Sequence, residues 1–213
     1  MRRPQAKTVV FLIDWDDTLF PTSASSSSAA SLIDWEAVAG AIDAFLRAAM
    51  ALGRVYIVTN SETGWVESTV ARYVPALAPL LVGPDRPIPV VSARSSFEQR
   101  KPTATATASA TSSPSFAEQM RWKFLAMLRI LQDEVRRTGQ APTLVQVGDS
   151  EVERSALLCI ARRMPGDLPP VKSVRVAQQP TAPLLCRELA KLTPLLPSVA
   201  RETRPLDVML TLP

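Results

Sequence analysis

The stretch VVFLIDWDDTLF, residues 9–20, runs five apolar residues into three carboxylates, Asp14, Asp16 and Asp17. Apolar residues that follow one another without alternation suit a strand covered on both faces, as in a parallel sheet flanked by helices. Like charges this close repel one another and depend on water or a cation for compensation. The stretch therefore predicts a buried strand whose carboxyl end meets something positive.

Working outward, the strand extends to KTVVFLI (7–13), and further strands are expected at RVYIVTN (54–60), PIPVVSA (87–93), TLVQVGD (143–149) and SVRVAQ (173–178). Helical periodicity fills the gaps between them. From Asp34 to Leu52 the residues Trp35, Val38, Ile42, Phe45, Leu46 and Ala49 recur at helical spacing, with Asp34 to cap the start and Gly53 to end it. Phe116 to Arg137 carries the stripe Met120, Phe124, Leu128, Leu131 and Val135, followed by Gly139. Shorter helices are expected at 63–73, 150–163 and 182–192. Strands alternating with helices mean βαβ units, so the expected fold is α/β: a Rossmann-like three-layer α/β/α sandwich around a central, mainly parallel five-stranded sheet.

Two segments, PTSASSSSAAS (21–31) and PTATATASATSSPS (102–115), have no large apolar side chain to bury and are expected as flexible surface loops. The end, RPLDVMLTLP (204–213), is apolar enough for a last strand or an extended tail. The whole chain reads as a single domain, with 197–213 as its C-terminal tail.

Composition narrows the function classes. With 213 residues, 46% hydrophobic, the chain is long enough for one sizeable core. A net charge of +4 admits phosphorylated ligands, but there is no dense Lys/Arg block and nucleic acid is not expected. Cys159 and Cys186 lie in apolar helical runs and suit reduced thiols. There is no apolar signal stretch after MRRPQAK and no run of about 18 apolar residues, so a soluble, cytoplasmic protein without a membrane partner is expected. The chain has no histidine, which excludes serine–histidine catalysis and histidine-rich zinc sites.

In an open parallel sheet, ligands bind beyond the carboxyl ends of the strands. That edge gathers Asp14, Asp16 and Thr18 after the first strand, Thr59 and Asn60 after the second, Ser92 and Arg94 after the third, and Gly148 and Asp149 after the fourth. Lys123, on a helix, is placed to reach the same crevice. Such a set suits a hard divalent cation: Mg²⁺ takes one or two carboxylates, here Asp14 and Asp149, and keeps waters and a substrate phosphate. Asp14 is then a candidate nucleophile toward phosphorus and Asp16 a candidate proton donor and acceptor.

These residues resemble the haloacid dehalogenase-like superfamily. FLIDWDDTL looks like its first motif, a hydrophobic strand followed by DxDxT. IVTN looks like the second, the lysine of RWKF like the third, and VGDSEVE like the fourth, GDxxxE. The order is right, and the gaps leave room for one βα unit, then two, then a helix and a strand. The resemblance, over roughly residues 7–178, implies a capless Mg²⁺-dependent phosphatase, or a phosphotransferase if another hydroxyl replaces water, working through an aspartyl-phosphate. It implies Asp14 as nucleophile and metal ligand, and Asp16 as general acid/base that also lends its main-chain carbonyl to the metal. Thr59 and Lys123 would bind phosphate, Asp149 would complete the metal site, and Glu153 would orient Lys123 or a metal-bound water. Departures exist. Asp17 stands where the family commonly has Gly and is given no catalytic part, and Lys101 competes with Lys123 as the third-motif lysine. Dehalogenase members generally lack the second aspartate, so Asp16 favours phosphoryl chemistry.

Since neither low-complexity segment can fold as a cap domain, an open site is expected, facing a phosphorylated protein or unselective small esters. Contacts to substrate are sought in SETGWVES (61–68) and SARSSFEQR (92–100), with Arg94 either a clamp for a second anionic group or half of an ion pair. Trp15, Trp65 and Trp122 are candidates to line the crevice, with packing the expectation for at least two. The alternative function is a catalytically idle module that binds a phosphorylated partner.

Overall fold

The computed structural model describes residues 8–28, 30–99, 113–164, 166 and 168–212. Six parallel strands form one open sheet in the order β3-β2-β1-β4-β5-β6: β1 Val9–Ile13, β2 Arg54–Thr59, β3 Val90–Ser92, β4 Thr143–Gly148, β5 Lys172–Arg175 and β6 Leu206–Met209. The expected five strands are present, and the sixth comes from the C-terminal segment, where Lys172 to Arg175 register with Leu206 to Met209. Of the two alternatives for this segment, a last strand or an extended tail, Leu206–Met209 takes the strand, an edge whose side chains stay largely exposed.

The side chains of each strand divide between two cores, which is why the apolar runs lack alternation. Phe11, Ile13, Val55, Ile57, Val145 and Val147 face α2 (Trp35–Met50), α3 (Trp65–Tyr73), α4 (Ala78–Leu81), α8 (Ala182–Leu192) and α9 (Leu196–Arg201). Val10, Leu12, Tyr56, Val58 and Leu144 face α5 (Ala93–Glu98), α6 (Phe116–Thr138) and α7 (Glu151–Arg163). The result is a Rossmann-like three-layer sandwich. No helix among the described residues is long and apolar enough to cross a membrane.

Local signals act as their chemistry requires, with one exception. Asp34 caps α2 through the Ala37 amide at 3.0 Å, and Ser115 with Glu118 forms a reciprocal capping box on α6. Gly139 ends α6 in the left-handed conformation, φ 75°. Gly53, expected as a helix stop, serves instead as a close-approach point: a Cβ there would overlap the Val9 carbonyl. The segment 21–31 is not without structure, since Thr22–Ser25 forms a helical turn (α1) and Ala30–Leu32 a 3₁₀ turn. Lys101 and residues 102–112 of the second segment lie outside the described residues.

Candidate active site

The site grows from the turn after β1. The Asp14 amide still donates to the Val147 carbonyl (2.9 Å), so this aspartate prolongs the strand between β2 and β4. The chain then folds back on itself. The amides of Leu19 and Phe20 donate to the Trp15 carbonyl at 3.0 and 2.9 Å, and the Asp17 amide to the Phe20 carbonyl at 2.8 Å. Trp15, Leu19 and Phe20 are fully buried, with the Trp15 and Phe20 rings stacked at 5.7 Å. Apolar residues thus anchor the turn inward while Asp14, Asp16 and Asp17 line its polar side. Asp17 takes a left-handed conformation (φ 51°), which aspartate tolerates better than most residues. Its carboxylate accepts from the amide and hydroxyl of Ser23 at 2.8 and 2.5 Å, a structural tie to α1.

Lys123 reaches this turn from α6. It is 1% exposed, and its Nζ lies 2.6 Å from Asp14 Oδ1, 3.0 Å from Glu153 Oε1 and 2.5 Å from the Val58 carbonyl of β2. All three ammonium protons have partners. Glu153 sits on the first turn of α7, 3% exposed, so it is not a surface acid paired with Arg154. Ser150 caps α7 and also donates to Glu153. Gly148, at the end of β4, leaves room for this acid, since a Cβ there would meet Glu153 Cγ at 3.0 Å and the Gln146 amide at 2.7 Å.

Carboxylate oxygens of Asp14, Asp149 and Glu153 lie within 4.8 Å of one another. One ammonium therefore faces three acids. Burial, then the charges of Glu153 and Asp16, push the Asp14 carboxyl above its ordinary range against the pull of Lys123. Burial, Glu153 and Asp17 push Asp149 up to about 7. Lys123 would lose charge on burial alone, but Asp14 and Glu153 more than offset this and hold it protonated. The donor set is oxygen-only, negative in excess and half enclosed, which fits a hard divalent cation.

Asp16 points to a different set of groups. Its Oδ2 accepts from Thr59 Oγ1 (2.9 Å) and Ser61 Oγ (2.8 Å), and its Oδ1 from Trp65 Nε1 (2.8 Å) and Thr22 Oγ1 (2.7 Å). The Thr59 hydroxyl is therefore engaged by Asp16. Thr18 is buried, and its hydroxyl has no partner among the described residues. Asn60 does not turn to the carboxylates: its amide donates to the Gln119 carbonyl at 3.4 Å, and its buried Oδ1 has no partner among the described residues. Arg94 takes the ion-pair alternative, with Glu98 at 3.0 Å and Glu62 at 3.6 Å, its guanidinium 5.7 Å above the Trp122 ring. Trp15 and Trp122 are packing residues, whereas Trp65, 36% exposed, borders the site. Sequence reasoning missed Thr22 and Ser23 because they sit in a segment whose composition is uninformative. Ser61 carried one usable signal, its place two residues beyond Thr59 at a strand end.

Comparison of the chain with protein-family models, curated proteins and solved structures finds no match.

Proposed function

We propose that the chain is a Mg²⁺-dependent phosphatase of the haloacid dehalogenase type that hydrolyses a phosphomonoester through an aspartyl-phosphate on Asp14. The observation that carries this reading is the placement of the buried Lys123 amine on Asp14, 109 residues away in sequence, beside an Asp149–Glu153 pair in excess of the local positive charge. A structural ion pair has no use for that excess, whereas a site for a cation and a phosphoryl group does.

In this reading Asp14 Oδ2, the oxygen not bonded to Lys123, attacks phosphorus as the ester oxygen leaves with a proton from Asp16. Asp16 then accepts a proton from the water that opens the aspartyl-phosphate, returning Asp14 and releasing phosphate. Lys123 holds Asp14 in place and offsets charge on the phosphoryl oxygens, and Thr59 turns its hydroxyl from Asp16 to one of them. Glu153 keeps Lys123 oriented. Mg²⁺ bound by Asp14, Asp149 and the Asp16 carbonyl would supply electrostatic stabilisation of the transferring group. Between β1 and α2 the described residues form only short turns, which supports an open site and a phosphorylated protein as substrate.

Hydrolysis of 4-nitrophenyl phosphate by the purified chain tests the reading. Turnover is expected with Mg²⁺ and not with chelator, and Asp14→Asn is expected to lower it on the order of 10³-fold or more while keeping the fold. Wild-type inactivity across aryl, alkyl and protein phosphoesters would favour an idle phosphate-binding module.

A further inference from the structure

Resting on that reading, we infer that Trp65 and Thr22 are positioning residues for Asp16, fixing its Oδ1 so that the transferable proton is carried on Oδ2. Two acceptor oxygens receive four donors, three of them hydroxyls and one, on Oδ1, an indole N–H. Those on Oδ2, the hydroxyls of Thr59 and Ser61, rotate freely about their C–O bonds and can turn toward a phosphoryl oxygen. The indole N–H on Oδ1 has a single direction, set by its ring.

That ring is held from behind. Trp65 is the first residue of α3, its amide donating to the Glu62 carbonyl at 3.1 Å and its carbonyl accepting from the hydroxyls of Ser68 and Thr69 at 2.8 and 3.1 Å. Gly64, at φ 92°, makes the turn that brings it there. Thr69 also accepts the Trp15 indole N–H at 3.1 Å, so α3 and the aspartate turn share one anchor. Thr22 is fixed by its amide to the Phe20 carbonyl at 2.8 Å, and α1 is tied further by the Ser23–Asp17 pair. Oδ1 thus faces one donor of fixed direction, the Trp65 N–H, and a Thr22 hydroxyl held beside it by the anchored turn. When Thr59 and Ser61 turn their hydroxyls to phosphoryl oxygens, Oδ2 is the oxygen left open to carry the transferable proton. When the Asp14–phosphorus bond forms and the ester P–O bond breaks, that proton goes to the departing oxygen, leaving Asp16 ionised to receive one from water. The low-complexity segment after β1 acts as a strut for proton transfer rather than as a cap.

The test exploits leaving-group chemistry, since 4-nitrophenolate departs without a proton whereas an alkoxide needs one. Trp65→Phe keeps the ring and deletes the N–H. Its kcat/KM is expected to fall on the order of tenfold more on propyl phosphate than on 4-nitrophenyl phosphate. Thr22→Val should shift the ratio the same way, and Thr22→Ser should restore it. Equal losses on both substrates, or none, overturn the positioning role. A second readout does not depend on turnover: the indole N–H proton resonance of Trp65, assigned by its absence in Trp65→Phe, should move in Asp16→Asn. A resonance unmoved by that substitution overturns the contact itself. A moving resonance in a wild-type protein inert toward aryl, alkyl and protein phosphoesters overturns the phosphatase reading and the positioning role with it, and leaves the contact standing.

Discussion

Helix α6 buries two charged residues at opposite ends of β2, and their surroundings are built in opposite ways. Near its start Lys123 meets Asp14 and Glu153 beside Asp149, one cation among three acids. Eleven residues later Glu134, its side chain 2% exposed, receives the Tyr56 hydroxyl at 2.6 Å, Arg137 at 2.6 Å and Arg54 at 3.2 Å. Here one acid is met by two guanidinium groups and a phenol, with both arginines reaching water. Burial raises Glu134, but Arg137, Tyr56 and Arg54 reverse this and hold it below its usual range. Burial and the Glu134 carboxylate push Tyr56 up to about 12. A cluster built for stability saturates its buried charge, whereas the cluster at the other end leaves acids unsaturated, which costs stability unless a ligand arrives.

The sharpest way to break this contrast is to remove the shared cation from the crowded end. Lys123→Met keeps the volume but strands Asp14 and Glu153 without their ammonium. Unfolding free energy at pH 8 should drop by about 3–5 kcal/mol, the range for breaking a buried pair, and the proposed phosphatase turnover should vanish. Chemical denaturation with and without Mg²⁺ checks this. A variant as stable as wild type would mean that the three acids are already compensated.

Glu134→Gln is the matched change at the saturated end. It keeps a hydrogen-bond acceptor for Tyr56 but removes the charge that Arg54 and Arg137 face, and should cost about 1–3 kcal/mol. Turnover should stay within about twofold of wild type, since a change confined to the structural cluster removes no transition-state contact. A large loss of activity would show that α6 transmits strain between its two ends.

The strands were legible because both of their faces are buried, and the site acids because they sit directly after the apolar runs. The α6 stripe was legible only in part. Met120, Phe124, Leu128, Leu131 and Val135 were expected inward, yet the fully buried positions include Lys123, Met127, Ile130 and Glu134. A hydrophobic pattern cannot show a face that buries ions, and α6 also packs on α5 and α7, which spreads its apolar surface. Thr22 and Ser23 were illegible for a different reason. Serine and threonine in a Ser/Ala-rich run carry no periodic signal, and their partners Asp16 and Asp17 become neighbours only once the turn around Trp15 has closed.

The smallest expected effect is also the one that separates the two clusters without an activity measurement, because their stability should depend on pH with opposite sign. Asp149 titrates at about 7 in the folded chain against 3.8 for an ordinary aspartate. Between those values the folded state holds a proton that the unfolded state has released, so this contribution is present below about pH 4 and is lost as pH rises to about 7. Glu134 is lowered from 4.5, so its contribution is present above that value and fades as pH falls through its folded titration. Thermal midpoints measured from pH 3 to 8 should therefore show an acid limb that flattens in Glu134→Gln and a decline toward neutrality that flattens in Asp149→Asn. Mg²⁺ competes with protons for the Asp149 carboxylate, so it should raise the wild-type midpoint more at pH 8 than at pH 5. An Asp149→Asn chain that keeps the full Mg²⁺ response at pH 8 would place the cation elsewhere and remove the reason for the crowding after β1.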